Sequence, residues 1–232
     1  MRTEANDPTR AGPPVPAEEV IFSLSEIQAA CLKAARGSGL PWGLAEEVGA
    51  GAAWLSAAGL PGPELILQFL RQPKHEAPQM SPGIWRAARG GALCPVLAGT
   101  ALSDFAALPE GLGAERLVLE DLAFPLLILP FAAQIAYRTA RPIAVEWPNV
   151  RAVLGPDGYR LSIAPPGAEL APLATVTLAW AAQVDGLVPV GRSGKRVALS
   201  IWRQLDELAM RTMVPATARS HADAGSSASD ND

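Results

Sequence analysis

The chain reads as an α+β protein, with an N-terminal helical hairpin unit packed on an antiparallel sheet body and a C-terminal helix. Three observations carry that expectation. A helix pair between Phe22 and Leu60 can be placed at its start and its turn. Four short apolar or alternating segments, separated by turn residues, follow Pro142. A final run then carries Val197, Ile201, Leu205 and Leu208 at helical spacing.

Residues 1–20 mix proline with charge and are expected to form a flexible segment. Ser23 and Glu26 have capping-box spacing, and Phe22 and Ile27 stand where a hydrophobic staple would close over the cap. The first helix is expected from Leu24 to Arg36, with Leu24, Ile27, Cys31 and Ala34 or Ala35 on one face. Gly37 is the expected left-handed residue that ends it. Pro41 suits the first turn of a second helix, which continues to about Ala58 with Leu44, Val48, Gly51 or Ala52, and Leu55 in phase. Its small residues, Ala50 to Ala53, would let another helix approach closely at some cost in helix propensity. A third helix, Pro63 to Arg71, completes a helical unit over residues 21–72.

The body is expected over residues 73–213, beginning with a break at Pro73, Pro78 and Pro82. Ile84 to Arg89 reads as a helical turn or more, Val96 to Ala107 as a short helix, and Leu117 to Leu122 as a strand. Leu126 to Thr139 reads as a helix whose start Pro130 delays or kinks. Strands are expected at Ile143–Trp147, Val150–Leu154, Tyr159–Ala164 and Thr175–Ala181. Pro148-Asn149 and Gly155-Pro156-Asp157-Gly158 supply turns for an antiparallel meander. The last helix is expected from Val197 to Thr212, and residues 214–232 form a small, polar, flexible tail.

Composition removes several function classes. In 232 residues, 49% hydrophobic content suffices for a sizeable core without disulfides or metals. A net charge of −4, with no clustered Lys and Arg, argues against a nucleic-acid surface. Cys31 and Cys94 match no zinc or redox spacing, and such sparse use suits a reducing cytoplasm. The first residues lack the apolar stretch of a signal peptide. The longest uncharged apolar run, Leu122 to Tyr137, holds two prolines and is shorter than the roughly 20 residues of a bilayer span. The expected location is therefore cytoplasmic, with no membrane partner.

The hairpin turn gathers the most functional side chains: Lys33 and Arg36 close one helix, and Trp42, Glu46 and Glu47 open the next. Free amides beside an arginine can hold an anion. The same charges also answer the two helix dipoles, which is the commoner reason for such placement. Cys94, in Leu93-Cys94-Pro95, precedes a helix whose N-terminal field could lower a thiol pKa. Both histidines, His75 and His221, fall in stretches unsuited to pair with it, so a small buried thiol is the simpler reading. Asp104, Glu110, Glu115, Glu120 and Asp121 are scattered, and Glu146 stands beside Trp147, whose simpler role is core. Gly191 to Arg196 has the glycines and cations of an anion cradle, or equally of a basic solvent loop before a helix. No phosphate loop, dinucleotide fingerprint, nucleophile elbow or metal-type histidine spacing occurs, so no cofactor is named.

Ser23-Leu24-Ser25-Glu26-Ile27, Lys33-Ala34-Ala35-Arg36-Gly37, Trp42-Gly43-Leu44-Ala45-Glu46-Glu47 and Val214-Pro215-Ala216-Thr217 with terminal Ser229 to Asp232 together resemble an uncharacterised bacterial family. Leu93-Cys94-Pro95, Gly99 and Asp104 fit the same pattern, so the resemblance runs from about residue 22 to the end. It implies no activity. It does imply that the tail docks, with Arg36 or the Arg192–Arg196 loop as receiver, although Ser226-Ser227-Ala228 departs from the pattern. The hairpin with Gly59-Leu60 is also similar to the N-terminal region of malate and sulfolactate dehydrogenases. Leu60-Pro61-Gly62-Pro63 stands where that family has Asp-Ser-His-Gly, so this second resemblance amounts to a hairpin.

Two functions are expected on these grounds. One is a small-molecule-binding protein or enzyme taking an anionic metabolite near Lys33, Arg36, Trp42, Glu46, Glu47 and Cys94. The alternative is a non-catalytic accessory subunit or interaction module, with a protein partner or a second copy on the small-residue face of the second helix.

Overall fold

The computed structural model describes residues 18–72, 75–182 and 184–212. The expectations for residues 1–17, for His221 and for the tail fall outside them. Strand β1 (Glu19–Phe22) leads into α1 (Leu24–Gly37). The predicted capping box closes between them: the Ser23 hydroxyl accepts the Glu26 amide at 3.2 Å, and the Glu26 carboxylate accepts the Ser23 amide at 2.8 Å. Replacing Ser23 with alanine is expected to cost about 1 kcal/mol in a denaturant melt. The Ser23 side chain first, then its backbone, holds the Glu26 carboxyl below its ordinary 4.5. A depressed carboxylate stabilises the fold above its unfolded pKa and loses that contribution as pH falls through the folded value. The Ser23→Ala penalty should therefore shrink in melts taken progressively below pH 4.5.

Helix α1 packs along α2 (Trp42–Ala57), followed by α3 (Gly62–Arg71). Gly39, with φ +89°, is the left-handed residue of the hairpin turn. Gly37 instead lies inside the last turn of α1, where a Cβ would sit 1.7 Å from the Leu208 carbonyl oxygen. Close approach, and not φ, requires glycine there.

The body is a seven-stranded sheet in the order β2–β3–β4–β8–β5–β6–β7. Its strands are β2 (Pro78–Ser81), β3 (Ile84–Ala87), β4 (Arg116–Ala123), β5 (Ile143–Trp147), β6 (Val150–Gly155), β7 (Gly158–Ile163) and β8 (Leu173–Trp180). All neighbours are antiparallel except β3 and β4. Two sequence expectations change here. Ile84–Ala87 is a strand and not a helical turn, because Gly83, at φ +79°, turns the chain into a hairpin with β2. The meander stops at β7, and β8 returns to fill the place between β4 and β5.

Helix α4 (Pro95–Phe105) packs on α5 (Leu129–Thr139), and α5 covers β5 and β6. Pro130 stands in the first turn of α5, the place where its missing N–H costs least. The start of the final amphipathic run is β9 (Lys195–Ala198), which pairs with β1, and α6 (Leu199–Ala209) follows and packs on α1. One continuous core joins Ile27, Leu55 and Ile66 of the helices to Trp85, Leu119 and Val145 of the sheet.

The loop from Gly191 to Arg196 closes the end of α2. The Gly191 amide donates to the Ala57 carbonyl at 3.0 Å, and the Tyr159 hydroxyl donates to the Ala58 carbonyl at 2.7 Å. Lys195 Nζ donates to the Gly59 carbonyl at 3.0 Å and to that of Leu60. The lysine thus acts as a remote C-cap, the placement a helix C-terminus favours for a cation. Replacing Lys195 with methionine keeps the stem and strands these carbonyls. The expected loss is about 2 kcal/mol, read from the denaturation midpoint.

Candidate functional site

Three side chains of the hairpin turn, Arg36, Trp42 and Glu46, are engaged with one another. Arg36 Nη1 donates to the Leu40 carbonyl at 2.6 Å, and its guanidinium carbon lies 5.3 Å from the Trp42 ring centroid. Trp42 Nε1 donates in turn to Glu46 Oε1 at 2.9 Å, one helical turn along α2. Arg36, Trp42 and Glu46 therefore form one linked surface group that fixes the turn. Lys33 is exposed on α1. Glu47 faces away, lining a separate recess of about 190 Å³ with Trp54, Pro130 and Gln134.

The inner side of the same turn forms one wall of a cleft of about 230 Å³. Ser38 to Pro41 make its rim. Leu44 of α2 and Phe69 and Leu70 of α3 give it an apolar side, and Gln72, His75, Cys94, Val96 and Leu97 complete it. Cys94 thus joins the turn, although fifty residues separate them in sequence.

A short parallel bridge brings His75 to Cys94. Glu76 pairs with Leu93: its amide donates to the Ala92 carbonyl at 2.9 Å, and its own carbonyl accepts the Cys94 amide at 2.8 Å. His75 and Cys94 flank that pair, and strand alternation sends both side chains to one side of it. The imidazole stacks on Phe69 (centroids 5.5 Å apart, planes within 11°) and meets Phe124 edge-on at 6.1 Å. Burial holds its pKa below the ordinary 6.5, so His75 is neutral at pH 7.

Cys94 is 7% exposed and occupies the N-cap position of α4 without making a side-chain cap bond. Burial pushes its thiol up, and the backbone N–H groups of Leu97 and Val96 oppose that only in part. It is a protonated thiol at pH 7. Cys31 is fully buried on α1 and is driven well above the usual thiol range by burial, with Glu64 adding to the effect. It belongs to the core.

Sequence reasoning missed His75, and no local signal marks it: the bridge that makes it a cleft residue forms only in the folded chain. The carboxylates do not gather. Glu120 pairs with Arg86 at 2.6 Å, Glu146 pairs with Arg151 at 3.1 Å, and Trp147 is core. Among the described residues no three of His, Cys, Asp and Glu stand together as metal ligands. A second, larger cavity of about 510 Å³ lies between α5 and the β6–β7 turn. Trp54, Gln134, Tyr137, Asp157 and Arg192 face it.

Residues 22–111 match the family model described as "Protein of unknown function (DUF3726)". The match covers 90 of the 232 residues. Every described residue lining the 230 Å³ cleft, from Ser38 to Leu97, lies inside the matched segment, whereas the larger cavity takes only Trp54 from it. No curated protein sequence matches the chain. Among solved structures, malate dehydrogenase from Pyrococcus horikoshii OT3 is similar with a TM-score of 0.45 and 10% identity, over 84% of this chain and 67% of that one. Malate dehydrogenase from Entamoeba histolytica is similar with a TM-score of 0.40 and 9% identity, over 82% of this chain and 62% of that one. The chain thus spans about two thirds of the length of those dehydrogenases. Among the described residues no helix is long and apolar enough to cross a membrane.

Proposed function

We propose that the chain is a cytoplasmic small-molecule-binding protein or enzyme whose site is the cleft behind the α1–α2 turn. One observation carries the reading. A concave, largely apolar cleft is lined, among the described residues, wholly by the segment that matches the family model, and two titratable side chains, His75 and Cys94, both line it. Convergence of a few polar groups on an apolar pocket is the usual form of a ligand site. Of the sequence-level candidates, Cys94 lines this cleft, and Arg36, Trp42 and Glu46 brace the turn that forms its rim.

The accessory-subunit reading rests on the absence of a recognised nucleophile, metal or cofactor motif and on the small residues Ala50 to Ala53 of α2, where Ala50 is exposed and the neighbouring glycines pack internally. Gly49 faces the Gln28 carbonyl of α1, where a Cβ would lie at 2.7 Å, and Gly51 faces Pro130 of α5 at 3.7 Å. Ala52 is fully buried.

A thermal-shift panel of metabolites run on the wild type and on Leu44→Trp tests the proposal, because the larger ring would fill the cleft. A compound that raises the melting temperature of the wild type alone is the expected result. A compound that shifts both proteins equally would move the site elsewhere.

A further inference from the structure

We infer that the groove between α2, α5 and the β6–β7 turn docks an extended, proline-rich segment of a protein partner, one that carries a basic side chain. This goes beyond the proposed small-molecule site and does not rest on it, because the groove shares no lining residue with the cleft behind the α1–α2 turn.

The groove is continuous. The recess of about 190 Å³ and the cavity of about 510 Å³ share Trp54, Pro130 and Gln134, so one channel runs from Glu47 past Trp54 to Asp157 and Arg192. Ala50 and Gly51 line its narrow end, where their small size leaves room. Aromatic rings and prolines form much of the rest: Trp54, set edge-on to Tyr159 at 5.9 Å, and Tyr137, with Pro130, Pro156 and Pro189. Tyr137 is 73% exposed. Trp, Tyr and Arg, all present here, are the side chains enriched where an interface concentrates its binding energy.

Free hydrogen-bond donors select the segment. On α5, Arg138 donates to the Ser103 carbonyl at 2.9 Å and Thr139 to that of Ile135 at 2.8 Å, whereas Gln134 and Tyr137 make no side-chain hydrogen bond among the described residues. Nε1 of Trp42 and of Trp85 has an acceptor, and that of Trp54 has none among the described residues. A polyproline II chain answers such donors, because it has no internal hydrogen bonds, presents a free carbonyl at every residue and lays prolyl rings on aromatic faces. An added β-strand does not fit. The β7 edge at this groove already exchanges both Tyr159 backbone bonds with Val188, at 2.9 and 2.8 Å. Charge then sets one side chain of the partner. The ion pairs among the described residues join Arg86 to Glu120, Arg151 to Glu146 and Arg196 to Glu19. Glu47, Asp157 and Arg192 belong to none of them, and two carboxylates against one guanidinium favour a basic residue in the docked segment.

The test is fluorescence anisotropy of labelled peptides titrated with the wild type, Tyr137→Ala, Asp157→Asn and Leu44→Trp. The probes are an oligoproline ending in arginine, an oligoproline ending in glutamate and an oligoserine ending in arginine. The first is expected to bind the wild type at least tenfold more tightly than either of the others. Tyr137→Ala, a change at an exposed helix position, should weaken that binding at least tenfold. Asp157→Asn should cut the preference for arginine over glutamate at least threefold, and Leu44→Trp should change nothing. Oligoserine binding as tightly as oligoproline would overturn the proline assignment, and an undiminished arginine preference in Asp157→Asn would overturn the charge pairing. Affinity that survives Tyr137→Ala but is lost in Leu44→Trp would put the peptide in the cleft instead. No binding of the first probe at millimolar protein would overturn the docking site altogether.

Discussion

Replacing Gly37 with alanine is expected to destabilise the protein by about 3 kcal/mol, a fall in melting temperature of roughly 6–12 °C for a chain of this size. Helix propensity alone predicts the opposite sign, since alanine is favoured over glycine by about 1 kcal/mol inside a helix. Packing decides the outcome. The added Cβ would lie 1.7 Å from the Leu208 carbonyl oxygen and 2.6 Å from its carbon, and both atoms are backbone of α6. No rotamer change relieves that contact, so α6 must move off α1. Gly43→Ala is the control: nothing lies within 4 Å of its Cβ, so it should be neutral or stabilising. A Gly37→Ala protein as stable as the wild type would show that α6 does not seat on α1 as described.

Trp85→Ala should cost more, about 3–5 kcal/mol, the range for truncating a buried large aromatic. Trp85 is fully buried on β3, in register with Leu119 of β4, and its Nε1 donates to the Glu110 carbonyl at 2.7 Å. The substitution therefore opens a cavity under the parallel strand pair and also leaves a carbonyl without its donor. Trp85→Phe separates the two effects, keeping much of the volume while removing the N–H. Its expected cost is about 1–3 kcal/mol, the penalty of one stranded buried polar group. Urea denaturation followed by circular dichroism measures both. A loss below 1 kcal/mol for the alanine variant would mean that Trp85 is not the anchor of that pair.

What the sequence reveals follows the range of the interactions involved. The Ser23–Glu26 cap and β5 are local, fixed by residues within a few positions, and both appear where the spacing places them. Placing β8 between β4 and β5 depends on pairing between segments far apart in the chain, which leaves no local pattern. The strand β9 hides in the last amphipathic run because Val197, fully buried, suits a helix face as well as a strand face. Gly37 shows the same limit: a glycine at a helix end reads as a conformational stop, and only the position of Leu208 reveals a contact. In the candidate site, Cys94 is visible as an unusual residue before a proline. His75 becomes its neighbour only through the Glu76–Leu93 bridge.

The most direct test of the cleft is residue-level nuclear magnetic resonance on uniformly ¹⁵N-labelled protein, titrated with the compounds that raise its melting temperature. The account predicts that the largest shifts fall on the amides of Ser38, Gly39, His75, Val96 and Leu97. Largest shifts at Trp54, Gln134, Tyr137 and Arg192 would contradict it and move the site to the 510 Å³ cavity.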